Sequence, residues 1–354
     1  MGLHWTDWPD EILGTLRRGV AIPASPLVLD AKRQFDARRQ RALMRYYVDA
    51  GAGGIAVGVH TTQFKIRDVG LYEPVLTQGA NTIEDWTDRP MVRIAGLVGQ
   101  TKQALREAAT ARDLGYHAGL LSLSVWRGSS EDDIIAHCRT VAKEIPLMGF
   151  YLQPSVGGVV LTPSFWQYFA EIENVVAIKI APFNRYRTLD VIRGVIRARA
   201  EGRIALYTGN DDHIVGDLVI PFTFMRDGEP VEVRIVGGML GHWSVWVRSA
   251  VELLDRCRSA AQTNVVPADL LALDSQVTDC NSALFDVANN FGGCIAGCHE
   301  VLRRQGLLEG IWCLDPTESL GPGQAREIDR IYAAYPHLND DDFVAENRAR
   351  WLDA

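Results

Sequence analysis

The sequence predicts an α/β fold, a (β/α)₈ TIM barrel carrying a C-terminal helical extension. Three observations point to it. Eight short apolar or β-branched runs recur between residues 19 and 238, amphipathic stretches of helical period separate them, and the runs lack polar alternation. Strands that are apolar on both sides belong to parallel sheets covered on both faces. Eight of them alternating with helices favour a closed barrel over an open sheet.

Taken in order, residues 1–18 form an N-terminal extension, 19–250 the barrel and 251–354 a C-terminal helical region. The strand candidates are GVAIPA (19–24), GIAVGV (54–59), MVRIAGL (91–97), AGLLSLS (118–124), PLMGFYLQ (146–153), VVAIKIA (175–181), RIALYTG (203–209) and VEVRIVGG (231–238). Between them lie helical patterns such as RRQRALMRYYVDAG and TKQALREAATARDLG, several closed by the glycine that a helix stop favours. The spacing breaks once, at IPFTFMRDGEPVEV, where Asp227-Gly228 at the centre of an alternating stretch predicts a hairpin insertion near 221–232. After residue 244 no strand is evident; QAREIDRIYAAY and DDFVAENRARWLDA read as amphipathic helices on the outside of the barrel or in a subunit contact.

Composition narrows the function classes. The 354 residues are 47% hydrophobic and 23% charged, enough for one large core plus an appendage. A net charge of −8 repels phosphate backbones and anionic lipid, which argues against nucleic acid as a partner. No apolar run reaches the roughly 18 residues that span a bilayer, and the start MGLHWTDWPDEILG lacks the basic-then-apolar pattern of a signal peptide. The expectation is a cytoplasmic protein with no membrane partner. The six cysteines form no CxxC pair and read as reduced core residues. Cys294, Cys298 and His299 are close enough in sequence to face a metal, but their segment is apolar and rich in small residues, so helix packing is the preferred reading and no metal is expected.

Catalytic groups of such barrels stand at the C-terminal ends of strands. Lys179 interrupts the apolar strand VVAIKIA, where both faces should be buried. Burying an unpaired ammonium is costly. The lysine therefore either snorkels to solvent or pairs with a carboxylate, or it is kept neutral as a nucleophile. Tyr151 ends the preceding strand, 28 residues earlier, as a core aromatic or a proton carrier. His60, Thr61 and Thr62 follow the second strand in GVHTTQF, where hydroxyls and backbone N–H groups either hold a carboxylate or satisfy a plain turn. Gly209, in YTGNDD, either admits a ligand closely or serves its turn. His242 and Trp243 shape a pocket rim or pack beneath the C-terminal helices, the second being preferred. Asp211, Asp212 and His213 read as a solvated helix start.

Together these motifs resemble the dihydrodipicolinate synthase and N-acetylneuraminate lyase family of Schiff-base barrels. The family's Tyr-Asn-x-Pro stretch appears as FYLQPSVGG, its lysine strand as NVVAIKIAPF, and its Ser-Gly-Asp-Asp turn as YTGNDD; the likeness runs from about residue 16 to 255. By this resemblance Lys179 forms an imine, Tyr151 shuttles protons and Gly209 lines the site; Thr61 joins the candidate catalytic set, and His60, Thr62 and, by its place after the eighth strand, His242 are candidate substrate contacts. The substrate is a 2-oxo acid, either pyruvate with an aldehyde or a keto-deoxy sugar acid, with no cofactor, in a homo-oligomer, tetramer or dimer.

Departures from the pattern set this chain apart. Val156 stands where synthases carry an arginine for the aldehyde's carboxylate, and LSLSVWRGSSEDD offers Trp126 and Arg127 in place of a subunit-crossing tyrosine. Losing a bidentate cation is not conservative. The expectation is thus a class I aldolase or lyase that is not a true dihydrodipicolinate synthase. The alternatives are a sugar-acid dehydratase using the same imine and a non-catalytic sugar-acid-binding barrel.

Overall fold

A computed structural model describes residues 2–240, 242–263 and 265–353. Seven strands form one parallel sheet: β1 (Gly54–Val57), β2 (Val92–Leu97), β3 (Ala118–Leu121), β4 (Leu147–Leu152), β5 (Val175–Ala181), β6 (Ala205–Thr208) and, beyond a two-stranded hairpin of β7 (Phe222–Arg226) and β8 (Glu229–Val233), the last stave β9 (Ile235–Gly238). Residues 19–24 close the ring without forming a regular strand. Ala21 bridges Gly238 on one side and Ala24 bridges Ala56 on the other. Pro23 has no N–H to give to a ladder, so this stave pairs only at intervals. The fold is a TIM barrel with a C-terminal helical extension.

The expected eighth strand, 231–238, divides. Its first half belongs to the hairpin, antiparallel to β7 with Phe222 opposite Val233, and its second half runs parallel to β6. Asp227 and Gly228 both adopt left-handed backbone, φ 54° and 88°, as a tight two-residue hairpin turn requires.

Helix α1 (Asp10–Arg18) precedes the barrel. The connecting helices are α2 (Ala37–Asp49), α3 (Tyr72–Trp86), α4 (Thr101–Asp113), α5 (Glu131–Val141), α6 (Pro163–Ala170), α7 (Arg185–Arg197) and α8 (Ile214–Val219). The C-terminal region supplies α9 (Val247–Thr263), α10 (Ala268–Leu284), α11 (Cys294–Arg304), α12 (Gln324–Ala334) and α13 (Asp341–Leu352). None of the described helices is long and apolar enough to cross a membrane.

Strand alternation divides the core in two. Ile22, Ala56, Ile94, Leu120, Phe150, Ala177 and Tyr207 belong to an inner cluster, which Trp8, Ile12 and Leu16 of the N-terminal segment join. Tyr207 donates its hydroxyl to the Leu16 carbonyl at 2.8 Å, fixing that plug. Ile55, Leu97, Leu121, Ile178, Ile180 and Leu206 point outward into a larger cluster shared with the helices. Helix α13 packs on α2, where Trp351 lies 5.3 Å from the Tyr46 ring and the Tyr46 hydroxyl donates to Asp340 at 2.7 Å.

Candidate active site

A cavity of about 90 Å³ opens at the C-terminal ends of the strands. Ala24, Val59, Leu120, Phe150, Ala181 and Leu240 give it an apolar floor, and Lys179, Asp211, His60, Thr61 and Gly209 stand in its wall. Lys179 follows from the alternation of β5. Ala177 and Ala181 flank it on the inner face, while Ile178 and Ile180 take the outer one. Small inner residues leave the lysine room to turn upward, and Gly209 completes that room. A Cβ at 209 would lie 2.7 Å from Lys179 Cε and 2.8 Å from Ala181 Cβ, closer than real contacts allow.

Burial pulls the Lys179 ammonium below the usual lysine range, and the charge of Asp211 opposes that pull. Its Nζ lies 4.6 Å from the Phe150 ring centre, a contact that favours the cation by less than full hydration would. The Asp211 carboxyl is pushed above the usual carboxylate range by the same desolvation, with Lys179 opposing and Asp212 adding to it. Its Oδ1 is buried and has no hydrogen-bond partner. A buried carboxylate oxygen left open is a feature that needs explaining. Two groups coupled in this way titrate as a unit. His60 keeps an opening to the cavity, yet burial, and after it the nearby Lys179, depresses its pKa to about 4. It is a neutral imidazole at pH 7.

The turn that carries Asp211 is built from both parts of the chain. Asp217, in α8, accepts from Thr208 Oγ1 at 2.6 Å and from Asn210 Nδ2 at 2.9 Å, and it pairs with Arg185. On the C-terminal side, Asn281 of α10 donates to the Asp211 carbonyl at 2.7 Å and Thr278 to that of Asp212 at 3.1 Å. The same region closes the cavity with Phe285, Phe291 and Cys294. Sequence reasoning missed these three and took Asp211 for part of a solvated helix start. Asp212 is exposed as that reading requires, and His213 stands at the N-cap position of α8, pairing with Asp274 at 3.1 Å, its pKa raised mainly by that hydrogen bond. The available signal for Asp211 was its position two residues past Gly209 at a strand end.

The structure corrects the placement of Tyr151. Its ring lies outside the barrel, 5.1 Å from Trp166 of α6, and its hydroxyl donates to the Leu161 carbonyl at 3.2 Å and accepts from the Leu161 N–H at 3.3 Å. The cause is the register of β4 on β5. Leu147 pairs with Val175, but Met148 pairs with Ala177, so one extra residue on β5 brings Phe150 rather than Tyr151 opposite Lys179. A single-residue slip exchanges the two faces of a strand.

Thr62 and His242 are also not brought to the cavity. Thr62 is fully buried, donating to the Ser25 carbonyl at 2.7 Å and accepting from the Gly58 N–H at 3.0 Å, which makes it a brace for the turn. His242 is buried against Trp246, ring centres 5.7 Å apart, with burial lowering its pKa to about 4. Thr61 and His60 do line the cavity. The Thr61 hydroxyl donates inward to the Ala24 carbonyl at 2.7 Å, so it turns lone pairs rather than its proton to the space. Val156 is at the rim, and Arg127 reaches the carbonyls of Pro154 and Gly158, at 3.3 and 3.4 Å.

A model of the dihydrodipicolinate synthetase family matches residues 18–220, more than half of the chain. The 4-hydroxy-tetrahydrodipicolinate synthase of Staphylococcus saprophyticus is 24% identical over 204 residues, covering 57% of this chain and 66% of the relative. That of Desulforudis audaxviator is 26% identical over 204 residues, covering 56% and 65%. The chain thus aligns with just under two thirds of the length of these relatives. Among solved structures, dihydrodipicolinate synthase from Oceanobacillus iheyensis superposes with a TM-score of 0.73 at 15% identity, covering 93% of this chain and all of that one. The Acinetobacter baumannii dihydrodipicolinate synthase complexed with pyruvate gives 0.72 at 18% identity, covering 89% and 98%. At such identity these structures establish the fold.

Proposed function

The chain belongs to the dihydrodipicolinate synthetase family, and from that premise we propose that it is a lysine-imine lyase acting on a 2-oxo acid such as pyruvate. One observation carries the reading: Lys179 lines an apolar cavity together with Asp211, whose Oδ1 is buried and has no hydrogen-bond partner. Desolvation supplies the neutral amine, which a free lysine, titrating near about 10.4, scarcely offers at pH 7.

The amine attacks the ketone carbon, water leaves, and the resulting iminium draws electrons from the adjacent carbon, as lysine nucleophiles do with carbonyl substrates. Asp211, rather than Tyr151, carries the proton that the carbon–carbon step releases or consumes, because it is the carboxyl in the cavity with Lys179. His60, held neutral, and Thr61 stand in the cavity wall, where the acid's carboxylate meets dipoles rather than a cation. This chemistry needs neither metal nor organic cofactor. We place the protein among cytoplasmic homo-oligomers.

Borohydride reduction in the presence of pyruvate tests the proposal. The expected result is a reduced pyruvyl adduct on the Lys179 peptide; unmodified Lys179 across a panel of 2-oxo acids would remove the imine. A related expectation concerns Gly209→Ala. The added methyl displaces the Lys179 side chain, and misplacing a reacting group by about 1 Å costs on the order of 10²-fold in rate. Single-turnover trapping should slow by that order while the melting temperature stays within a few degrees.

A further inference from the structure

The proposed imine site leaves open which carbonyl compound meets the 2-oxo acid, and the cavity wall discriminates between classes. Four phenylalanines converge there: Phe150 in the floor, Phe285 above it, and Phe183 and Phe291 at the partly exposed rim. The Phe183 and Phe291 rings lie 5.8 Å apart, inclined at 59°, within the range of a favourable aromatic pair. Both residues hold left-handed backbone, φ 49° and 65°. A bulky residue rarely adopts that conformation, and where it does the surrounding structure must impose it.

The structure shows what imposes it. Asn210 Oδ1 accepts from the Phe183 N–H at 3.1 Å, and Asn210 is itself anchored on Asp217. The Phe291 N–H donates to the Asp286 carbonyl at 3.0 Å. The Asp286 carboxylate accepts from Asn289 at 2.6 Å and from the Gly293 N–H at 3.1 Å. Two strained backbones, one from the barrel and one from the C-terminal region, are thus fixed so that two rings meet at the wall of the cavity that Lys179 also lines.

The polar side of the wall is sparse. Among the described lining residues Lys179 is the one cation, and the proposed chemistry occupies it. The Thr61 proton goes to Ala24, and Gln153 Oε1 accepts from Ser155 at 2.5 Å. Beyond Lys179 a polyhydroxylated sugar would find only Asp211, His60, Thr61 and Gln153 as polar side chains among these lining residues, and each hydroxyl buried without a partner weakens binding by about five- to hundredfold. A carboxylated aldehyde would meet Asp211 and no free cation.

We infer that the second substrate of the site is an aromatic aldehyde, packed against the Phe183–Phe291 pair where it faces the cavity, an inference that rests on the imine reading above. In the condensing direction the iminium of pyruvate gives a C3 proton to the Asp211 carboxylate, and the C–H electron pair forms the enamine. The enamine's carbon–carbon π pair forms the new bond to the aldehyde carbon, the carbonyl π pair moves to its oxygen, and that oxygen takes a proton from Asp211. Water then hydrolyses the iminium, releasing an aryl 4-hydroxy-2-oxo acid and the free amine.

The experiment uses the full chain with pyruvate and three aldehydes: benzaldehyde, D-glyceraldehyde and succinic semialdehyde, with products quantified by mass. The kcat/KM for benzaldehyde is expected to exceed both others by at least about tenfold. Phe291→Ala and Phe183→Leu should each raise the benzaldehyde KM about five- to tenfold, the loss of an aromatic contact. A preference for glyceraldehyde or succinic semialdehyde, with the Lys179 adduct of pyruvate still trapped, overturns the aromatic assignment and leaves the imine standing. Absence of any adduct removes both.

Discussion

Lys179→Met should abolish turnover, lowering kcat by at least about 10⁴-fold, because removing a covalent nucleophile forfeits the whole route rather than a fraction of it. Methionine suits the site: it is unbranched, apolar and nearly as long, so it refills the space between Ala177 and Ala181 that the lysine stem occupies. The variant should keep its circular dichroism spectrum and its melting temperature, so that the loss reads as chemistry. The pH profile of the parent carries a linked expectation. Activity requires the uncharged amine, so the rate rises with pH as Lys179 loses its proton. Burial sets that rise below the range of an ordinary lysine. Asp211 opposes the shift by its charge, so removing that charge moves the rise to still lower pH. A rise centred on an ordinary lysine value, near about 10.4, would mean that the amine is solvated and the premise of a dry cavity is wrong.

How much of this was legible in the sequence depends on what each residue's position is measured against. The barrel was legible because its period is carried by many residues at once; misreading one strand leaves the alternation intact. Lys179 was legible for the same reason, since a charged side chain within VVAIKIA contradicts its neighbours. The stave at 19–24 was visible as an apolar run, but its irregular pairing depends on Pro23 lacking an N–H, which a count of apolar residues does not weigh. Tyr151 shows where sequence spacing stops being informative. The 28-residue separation from Lys179 fits neighbouring strands, and without the extra residue at Val176 the two would stand opposite each other. Which face a side chain takes is decided by local register, and one bulge reverses it. Asp211 was hidden for a different reason. Three polar residues before a helix look like a solvated start, and nothing in the sequence shows that Asn281 and Thr278, some 70 residues later, fold over that turn.

The contrast between Asp211→Asn and Tyr151→Phe separates the geometry from the resemblance. Asparagine keeps the shape of the side chain but can neither accept nor release the proton, so kcat should fall by about 10²- to 10⁴-fold, the usual worth of a positioned general acid or base. Borohydride should still trap pyruvate on Lys179, because the imine begins with attack by the neutral amine, which loss of the carboxylate favours, and solvent water can supply the proton with which the carbinolamine hydroxyl leaves. Tyr151→Phe should leave kcat within about threefold, since its hydroxyl lies on the far side of β4 from the cavity. Its cost is in stability: the Leu161 N–H loses its acceptor in a buried place, worth about 1–3 kcal/mol in denaturant titration. The reverse pattern, with Tyr151→Phe crippled in turnover and Asp211→Asn nearly intact, would require β4 to present its other face to Lys179 in solution. That would shift Phe150 out of the inner cluster and empty the floor of the cavity. The two variants therefore test the strand register and the proton carrier together, because the same single-residue offset determines both.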